Sequence, residues 1–250
     1  MARVFITGTA DGLGLATARS LVEQGHEVVG HADSPERADD NLRAVPGIAM
    51  VLVGDLSSQA EVEALAAQAN SVGRFDAVIH SAGVGGDEPD RIRTAEGHSR
   101  VLAINVLAPY LLTAFMERPD RLVYLSSGVL EDGMASIDDP DWVDRGWDGA
   151  QAHADSQLYG ATLAAAVARL WPEVLSNSVD PGAADDLEQR HLTQAWLAVG
   201  DDRAAQVSGR HFSHLQEREL KAVVGSAAWQ DALLGALGEL TGVKLPDAPV

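Results

Sequence analysis

Short apolar runs of strand length alternate along the chain with longer segments whose apolar residues recur at helical spacing. The first run, residues 4–7, leads into three glycines, and the helical pattern that follows stops at Gly25. This alternation predicts an α/β fold with a doubly wound, mainly parallel sheet of seven strands and helices on both faces. The predicted strands lie at residues 4–7, 27–31, 49–53, 77–80, 121–125, 175–179 and, as a short strand, near 207–212.

The helical patterns and the polar segments define the organisation of the chain. A polar loop follows the second predicted strand, and a polar loop with tryptophans covers residues 129–149. There is no internal repeat, linker or low-complexity tract, so we predict one domain over residues 1–250, with a C-terminal helical tail from about residue 213. After the first helix, the predicted helices lie at residues 58–69, 100–116, 154–171, 192–199 and 227–240.

Composition narrows the class of function. The formal net charge of −19 argues against nucleic acid and anionic lipid as partners. The absence of cysteine fits a reducing cytosol. The longest apolar stretch, residues 101–116, is too short to span a bilayer and contains Asn105 and Pro109. Because a predicted strand begins near the N-terminus, we expect no secretory signal ahead of it. We therefore expect a cytoplasmic protein that acts on a small molecule, with no nucleic-acid or membrane partner.

The turn after the first strand contains Gly8, Gly12 and Gly14 and opens directly into a helical pattern. A strand, a glycine-rich turn and a helix N-terminus in this order form a cradle for a pyrophosphate. Backbone N–H groups and the positive end of the helix can approach the anion because the glycines carry no side chains. The alternative is a tight turn whose glycines only satisfy backbone geometry.

Further motifs extend over essentially the whole chain, and together they resemble the short-chain dehydrogenase/reductase family, in particular its retinol-dehydrogenase-like branch. The matching residues are Thr7, Gly8, Gly12 and Gly14, then Asp55 and Leu56, Ala82 and Gly83, Asn105, Ser126 and Ser127, and Pro181 and Gly182. The resemblance implies that Asp55 bonds the adenine edge and that Ala82 and Gly83 line a ribose. It also implies that Asn105 holds the neighbouring helix and a water. The dinucleotide is then expected to lie against these motifs, including Leu13 in the glycine turn.

The end of the second predicted strand bears on the type of dinucleotide. Asp33 lies where many NADP-preferring members of the family carry an arginine. A carboxylate there accepts hydrogen bonds from a ribose diol and repels a 2′-phosphate. Asp11 adds a second negative charge, which Arg37 partly counters. We therefore expect NAD to be preferred over NADP if a dinucleotide binds; the alternative is that Asp33 only caps the next turn.

The family's catalytic Tyr and the Lys four residues after it are absent from their expected places. Tyr159 lies too close to Pro181 for the helix and strand that must separate the two, whereas His153 fits this distance. The segment from His153 to Leu158 also resembles the branch's Tyr-x-x-Ser-Lys-Leu. We therefore place His153 at the Tyr position and Gln157 at the Lys position, on one face of the start of a helix.

Two interpretations of this exchange remain open. In one, both catalytic groups are lost and the site is inert or only binds. In the other the exchange is functional, because imidazole titrates near pH ~6.5 and acts as acid or base without a neighbouring cation. We then expect His153 within hydrogen-bond reach of Ser127, or of a substrate oxygen that bridges the two, while Gln157 bonds a ribose hydroxyl.

Three functions follow, in order of preference. The first is a non-redox enzyme that uses His153 and Ser127 for acid–base chemistry such as cyclisation, isomerisation or elimination. The second is an NAD(H)-dependent oxidoreductase of a carbonyl or alcohol substrate with His153 as proton donor. The third is a non-catalytic dinucleotide-binding protein. The Thr that the family carries soon after Pro181 and Gly182 is missing and the covering segment looks deleted, so we expect the nicotinamide end to be open to water.

Assembly and metal binding complete the expectations. The helices at 100–116 and 154–171 carry more apolar residues than one buried stripe requires. The resemblance implies that subunits pair through these helices, which predicts a homodimer or homotetramer. His191, His211 and His214 lack the spacing of metal ligands, so no metal site is expected.

Overall fold

The computed structural model describes residues 1–182 and 189–246, which form one α/β unit around an eight-stranded sheet. The strands are β1 (Arg3–Ile6), β2 (Glu27–Ala32), β3 (Met50–Val53), β4 (Ala77–His80), β5 (Arg121–Leu125), β6 (Leu175–Asp180), β7 (His211–Ser213) and β8 (Gln216–Arg218). Their order across the sheet is β3-β2-β1-β4-β5-β6-β7-β8. Neighbouring strands are parallel except β7 and β8, which are antiparallel. The doubly wound fold predicted from the sequence is confirmed.

Helices cover both faces of the sheet. They are α1 (Gly12–Glu23), α2 (Pro35–Ala44), α3 (Gln59–Val72), α4 (Arg100–Leu102), α5 (Ala108–Phe115), α6 (Gly149–Leu170), α7 (Leu192–Val199) and α8 (Ala227–Thr241). A π-helical stretch, Ala103–Leu107, joins α4 to α5, and a short 3₁₀ helix, Gly128–Asp132, follows β5. No helix in the described part of the chain is both long enough and apolar enough to cross a bilayer.

Alternate residues of the central strands serve two separate cores. In β1, Val4 and Ile6 belong to the core beneath α1 and α7, whereas Phe5 belongs to the core beneath α3, α5 and α6. In β5, Val123 likewise faces the first core and Tyr124 the second. This period of two, with apolar residues on both faces, is what a parallel strand buried between two helix layers requires.

The order of the strands creates a crevice at the centre of the sheet. From β1 the chain moves outward to β2 and β3 and then returns to β4, which lies on the other side of β1. In open α/β sheets, ligands bind at the carboxyl ends of the strands where the direction reverses in this way. Here the Thr7 hydroxyl accepts hydrogen bonds from the backbone N–H groups of Ser81 and Ala82, at 3.0 and 3.1 Å, and joins the turns after β1 and β4.

Two elements lie where the sequence analysis expected others. Helix α2 lies where the polar loop after β2 was predicted, and the Ser34 hydroxyl caps its N-terminus. The helix was not predicted because its inward residues, Ala38 and Asn41, are small or polar. Strand β8 lies in the predicted helical tail, and its three side chains are all exposed. The sheet therefore has one strand more than predicted, and the last parallel strand is His211–Ser213 rather than a strand near 207–212.

The helices that carry the expected catalytic residues also differ from their predicted form. Helix α6 begins at Gly149, five residues before the predicted start at residue 154, and the Asp148 carboxylate caps it by accepting a hydrogen bond from the N–H of Gln151. His153 and Gln157 therefore lie inside the helix. The predicted helix over 100–116 is interrupted by the π-helical stretch, which contains Asn105.

Helix α8 covers the outer side of α5 and α6. Its Leu233 and Leu237 are fully buried in the same core as Tyr110 of α5 and Leu163 of α6. Part of the apolar surface that made these two helices look like subunit interfaces is thus covered by α8 of the same chain, mainly on α6. The homodimer or homotetramer stays a prediction without that support.

Candidate active site

The first cleft, of about 400 Å³, lies at the carboxyl ends of β1, β2 and β4. Of the residues predicted to bind a dinucleotide, it is lined by Gly8, Asp11, Leu13, Gly14, Asp33, Asp55, Leu56, Ala82 and Gly83. Gly12 belongs to the same turn but does not line the cleft. The structure adds residues that the sequence analysis did not assign to the site, and these are Ala10, His31, Ala32, Ser81, Val84 and Ile104.

The turn between β1 and α1 depends on two of its glycines. Gly8 has φ +73°, and a Cβ on it would lie 2.9 Å from the Cα of Ala82. A Cβ on Gly14 would lie 2.1 Å from the carbonyl oxygen of Gly8, so helix α1 can begin this close to the turn only without a side chain there. Asp11 makes no side-chain cap, which leaves the first N–H groups of α1 to a ligand.

His31 of β2 fixes the position of this turn. Its Nδ1 accepts a hydrogen bond from the N–H of Gly8 at 3.0 Å, and its Nε2 donates to the carbonyl oxygen of Gly54 at 2.8 Å. Both bonds need the neutral ring, and burial lowers the pKa of His31 below its ordinary value. The Asn41 side chain holds the same turn by bonding the carbonyl oxygen and the hydroxyl of Thr9.

Asp33 lies at the end of β2 beside the cleft, and Arg37 lies one turn into α2. The Arg37 guanidinium bonds the Asp33 carboxylate at 3.1 Å and also forms an ion pair with Asp11 across the mouth of the cleft. These two carboxylates raise the pKa of Arg37, the hydrogen bond to Asp11 being the larger cause. The three groups carry a net charge of −1 at neutral pH. The local charge therefore disfavours an additional phosphate here.

Two further residues line the floor of the first cleft. The Asp55 carboxylate accepts a hydrogen bond from the N–H of Ser57 at 2.8 Å, which fixes its orientation. The Ser81 hydroxyl is buried and has no hydrogen-bond partner in the described part of the chain. An unpaired buried hydroxyl costs free energy unless a ligand or water supplies the partner.

A second cleft, of about 290 Å³, adjoins the first, and residues 81–84 line both. The residues predicted for catalysis, Ser127, His153, Gln157 and Asn105, all line it, together with Pro181 and Gly182. The structure also brings Arg190 to this cleft, a residue that the sequence analysis did not consider. All predicted catalytic and cofactor residues except Gly12 thus line one or both of two adjoining clefts.

Asn105 connects the two walls of the second cleft. Its side-chain oxygen accepts from the N–H of Val84 at 2.8 Å, and its amide nitrogen donates to the Val84 carbonyl at 3.0 Å and to the Ser156 hydroxyl at 3.0 Å. The Ser156 hydroxyl in turn donates to the carbonyl oxygen of His153 at 2.7 Å. The π-helical stretch of Asn105 is therefore bonded to the turn of α6 that carries His153.

Ser127 and His153 line the same cleft, but within the described residues no hydrogen bond joins them. Ser127 caps the 3₁₀ helix by accepting from the N–H of Val129 at 3.5 Å, and its hydroxyl proton stays available. Burial lowers the pKa of His153, while the charge of Asp87 acts in the opposite direction. Of the two arrangements expected from the sequence, only the one in which a substrate oxygen bridges the two side chains is compatible with this geometry.

Tyr159 lies away from both clefts. Its side chain is fully buried, and its hydroxyl donates to the carbonyl oxygen of Ser136 at 2.5 Å. Burial raises the pKa of Tyr159 above its ordinary value, and such a phenol is unsuited to proton transfer at neutral pH. Leu163, four residues on, is also buried in the core.

The expected loss of a lid after Gly182 falls on residues 183–188, which lie outside the described part of the chain. The roles of Ser81 and Arg190 left no signal in the sequence, because neither belongs to a recognisable motif. In residues 1–182 and 189–246, no group of His, Asp and Glu side chains converges as a metal site.

The joined clefts fit an extended dinucleotide. The glycine turn brings backbone N–H groups to the position of a pyrophosphate, and Asp33 and Asp55 flank the part that would hold the adenosine. The unpartnered Ser81 hydroxyl lies at the junction of the two clefts. The second cleft would then receive the nicotinamide and a substrate beside Ser127 and His153.

Comparisons with known proteins agree with this geometry. A family model described as short chain dehydrogenase matches residues 2–120. An oxidoreductase of Emericella nidulans is 36% identical over 262 residues, which cover 98% of this chain and 99% of the relative. The short-chain dehydrogenase chyC of Penicillium rubens is 36% identical over 98% of this chain and 100% of its own length.

Solved structures show the same fold at lower identity. A crystal structure of a protein from Mycobacterium paratuberculosis superposes with a TM-score of 0.88 and 22% identity, covering 98% of this chain and 95% of that one. A blue fluorescent protein from a metagenomic library, crystallised with NADPH, has a TM-score of 0.67 and 21% identity over 85% of this chain and 95% of its own.

Proposed function

Because this chain belongs to the short-chain dehydrogenase/reductase family, we propose that it is an NAD(H)-dependent oxidoreductase of a small-molecule alcohol or carbonyl compound. The observation that carries the proposal is that the two clefts adjoin at residues 81–84, because one extended dinucleotide could then reach Ser127, His153 and Gln157. Full-length relatives named as oxidoreductase and dehydrogenase favour this function over the non-redox chemistry that the sequence analysis preferred.

In this proposal His153 and Gln157 occupy the positions that Tyr and Lys hold in the family's retinol-dehydrogenase-like branch. When bound, the dinucleotide supplies or accepts the hydride. The His153 imidazole takes the proton from an alcohol substrate, or returns it to the oxygen of a carbonyl substrate. The Ser127 hydroxyl donates a hydrogen bond to the same oxygen and stabilises the charge that develops on it. The Gln157 amide bonds a ribose hydroxyl, without the charge of a lysine.

We also propose that NAD is preferred over NADP. Asp33 can accept both hydroxyls of an adenosine ribose, and Arg37, shared between Asp33 and Asp11, offers no full positive charge to a 2′-phosphate. To bind Arg37, the 2′-phosphate of NADP would have to break at least one of these ion pairs.

The proposal is tested first by calorimetric titration of the protein with NADH and then by turnover on a panel of alcohols and carbonyl compounds. His153→Ala should lower kcat/KM by about 10²–10⁴-fold, because it removes the proton-transfer group, and should leave the Kd for NADH nearly unchanged. Tyr159→Phe serves as the control and should keep turnover. Absence of NADH binding, or conversion of substrate without change in the dinucleotide, would exclude an oxidoreductase. Loss of activity in Tyr159→Phe alone would move the site to Tyr159.

A further inference from the structure

Arg190 lies just before helix α7 and lines the second cleft together with Gly182 and Ser127. Its Nε atom is buried and has no hydrogen-bond partner among residues 1–182 and 189–246. Within the described residues, no carboxylate lies within ion-pair distance of its guanidinium. Arg19, Arg93 and Arg203 likewise form no ion pair within the described residues, but Arg190 differs from them because its unbonded Nε atom is buried and the residue lines a cleft.

An arginine without a partner at a cleft calls for a physical explanation. A buried guanidinium N–H that lacks an acceptor costs free energy, so such groups occur where a ligand or water supplies the acceptor. Arginine presents several N–H donors in one plane and bonds carboxylate and phosphate groups in a bidentate manner. The free donor of Arg190 therefore points to an anionic group in the second cleft.

The position of Arg190 favours the substrate as the source of this anion. The pyrophosphate cradle is formed by the glycine turn in the first cleft, which Arg190 does not line. Arg190 instead shares its cleft with Ser127 and His153, where the reacting oxygen would lie.

The charge of the surroundings favours a carboxylate over a phosphate. Asp87 acts electrostatically on His153 at one side of the cleft, and the Asp180 carboxylate accepts from the N–H of Gly182 at the other. One arginine balances a single negative charge, whereas a dianionic phosphate would stay in excess next to these carboxylates.

We infer that Arg190 binds a carboxylate of the substrate, so that the substrate is an oxo acid or a hydroxy acid. The reaction assigned to this substrate rests on the proposed function, but the binding of the carboxylate does not. Hydride transfer would occur at the carbonyl or alcohol carbon next to Ser127 and His153, and the carboxylate would be held by Arg190 without taking part in the reaction.

The experiment uses a series of oxo acids with increasing separation between carbonyl and carboxylate, each paired with its methyl ester. Calorimetric titration measures their binding to the full chain with and without NADH. At least one acid should bind about tenfold or more tightly than its ester, since a charge-assisted hydrogen bond to a buried group is lost in the ester. Arg190→Ala should abolish the difference, and Arg190→Lys should keep part of it. Arg203→Ala removes the same charge from an exposed site and should keep all of it.

The outcomes separate this inference from the proposed function. If no acid binds more tightly than its ester, or if Arg190→Ala keeps the difference, the inference is wrong. If Arg190→Ala weakens the binding of NADH and not of the acid, Arg190 serves the cofactor phosphate and the inference is also wrong. If the acid binds through Arg190 but NADH does not bind to the unaltered chain, the carboxylate site stands and the oxidoreductase proposal fails. Circular dichroism of each variant checks the fold, and Arg190→Gln replaces Arg190→Ala if the latter does not fold.

Discussion

The side-chain amide of Asn105 donates a hydrogen bond to the hydroxyl of Ser156, with a nitrogen–oxygen distance of 3.0 Å. Asn105 lies in the π-helical stretch and Ser156 in helix α6, so the bond crosses from one wall of the second cleft to the other. Through the bond from Ser156 to the carbonyl oxygen of His153, it fixes the turn of α6 that presents His153 and Gln157. π-Helical stretches often occur at functional sites, and this one places the amide of Asn105 within reach of α6.

Substitution of Asn105 should therefore impair turnover more than stability alone explains. Asn105→Ala removes three hydrogen bonds and leaves the N–H of Val84 without its partner, which should cost about 1–3 kcal/mol in the free energy of unfolding. Because His153 loses its support, kcat should fall by about tenfold or more. Asn70→Ala is the control, since Asn70 also bonds one carbonyl and one N–H between helices, far from the clefts. Denaturant unfolding and steady-state kinetics should show similar stability losses but lower kcat only for Asn105→Ala.

The preference between dinucleotides should depend on the pair of Asp33 and Arg37. In the variant Asp33→Asn, Arg37 keeps an ion pair with Asp11 alone, so the repulsion of a 2′-phosphate decreases. The ratio of the Kd for NADP to the Kd for NAD should therefore fall by about tenfold. Asp39→Asn makes the same change of charge on the exposed side of α2 and should leave the ratio unchanged. Titrations of both variants at low ionic strength measure it. An equal ratio in all three proteins would mean that Asp33 does not face the ribose.

The pH dependence of turnover should report His153. Burial lowers the pKa of His153 below its ordinary value of about 6.5, so its neutral form predominates at pH 7 and can accept a proton. For alcohol oxidation, kcat/KM should be constant above pH ~6.5 and fall as the pH drops through the pKa of His153; for carbonyl reduction it should rise instead. In the double variant His153→Tyr and Gln157→Lys, the limb for oxidation should move to higher pH, because a phenol titrates near pH ~10 without help. If the pH limb of kcat/KM for oxidation is unchanged in the double variant, the limb belongs to a group other than the side chain at position 153.

His80 should make the fold sensitive to acid. It is buried at the end of β4, where its ring stacks on Tyr124 with centroids 4.7 Å apart, and burial lowers its pKa to about 3. Between pH ~6.5 and pH ~3, His80 binds a proton in the unfolded chain but not in the folded chain. The free energy of unfolding therefore falls as the pH falls through this range. From pH 7 to pH 5.5 this one group should contribute a loss of about 1 kcal/mol.

Urea unfolding at the two pH values measures this effect. His80→Asn should show a smaller loss of stability on acidification than the unaltered chain, because asparagine does not titrate. The control, His214→Asn, replaces an exposed histidine and should lose as much as the unaltered chain. If His80→Asn and the unaltered chain lose the same amount, then His80 is not excluded from protonation in the folded state.

Elements that bury apolar residues could be predicted from the sequence, whereas a helix that buries small and polar residues could not. Strands such as β4 and β5 are continuous apolar runs, since they are buried from both sides, and their bounds were predicted without error. Helix α2 was missed because its inward residues are alanine and asparagine, and Asn41 is buried only through its bonds to Thr9. Its helical pattern therefore carries almost no hydrophobic signal.

The candidate site shows the same limit. Ser127, His153 and Gln157 could be predicted to lie together, because strand ends and helix starts follow from the order of elements. Arg190 could not, because its relevance lies in the absence of a partner near it, and this depends on the positions of carboxylates elsewhere in the fold. The lack of a bond between Ser127 and His153 likewise depends on side-chain geometry that spacing along the chain does not determine.

The last prediction concerns the covered face of α5 and α6. Trp229 of α8 donates from its indole to the Thr162 hydroxyl at 3.1 Å, and the Tyr110 hydroxyl donates to the carbonyl oxygen of Val243 at 2.7 Å. Leu237 of α8 is fully buried in the same core, so a second subunit could reach the covered part of this face only if α8 moved away. We therefore expect the chain to sediment as a monomer at micromolar concentration, in place of the homodimer or homotetramer predicted from the sequence.

Variants of α8 test this relationship between the covering helix and assembly. Leu237→Ala should lower the free energy of unfolding by about 2–5 kcal/mol, as for other buried leucines. Leu237→Asp should release α8 and expose the apolar face, so that sedimentation velocity shows self-association. Ala232→Asp adds the same charge on the exposed side of α8 and should stay monomeric. The unaltered chain could instead form a stable dimer that persists in Leu237→Asp. That result would contradict the expected monomer and would show that subunits pair through another surface.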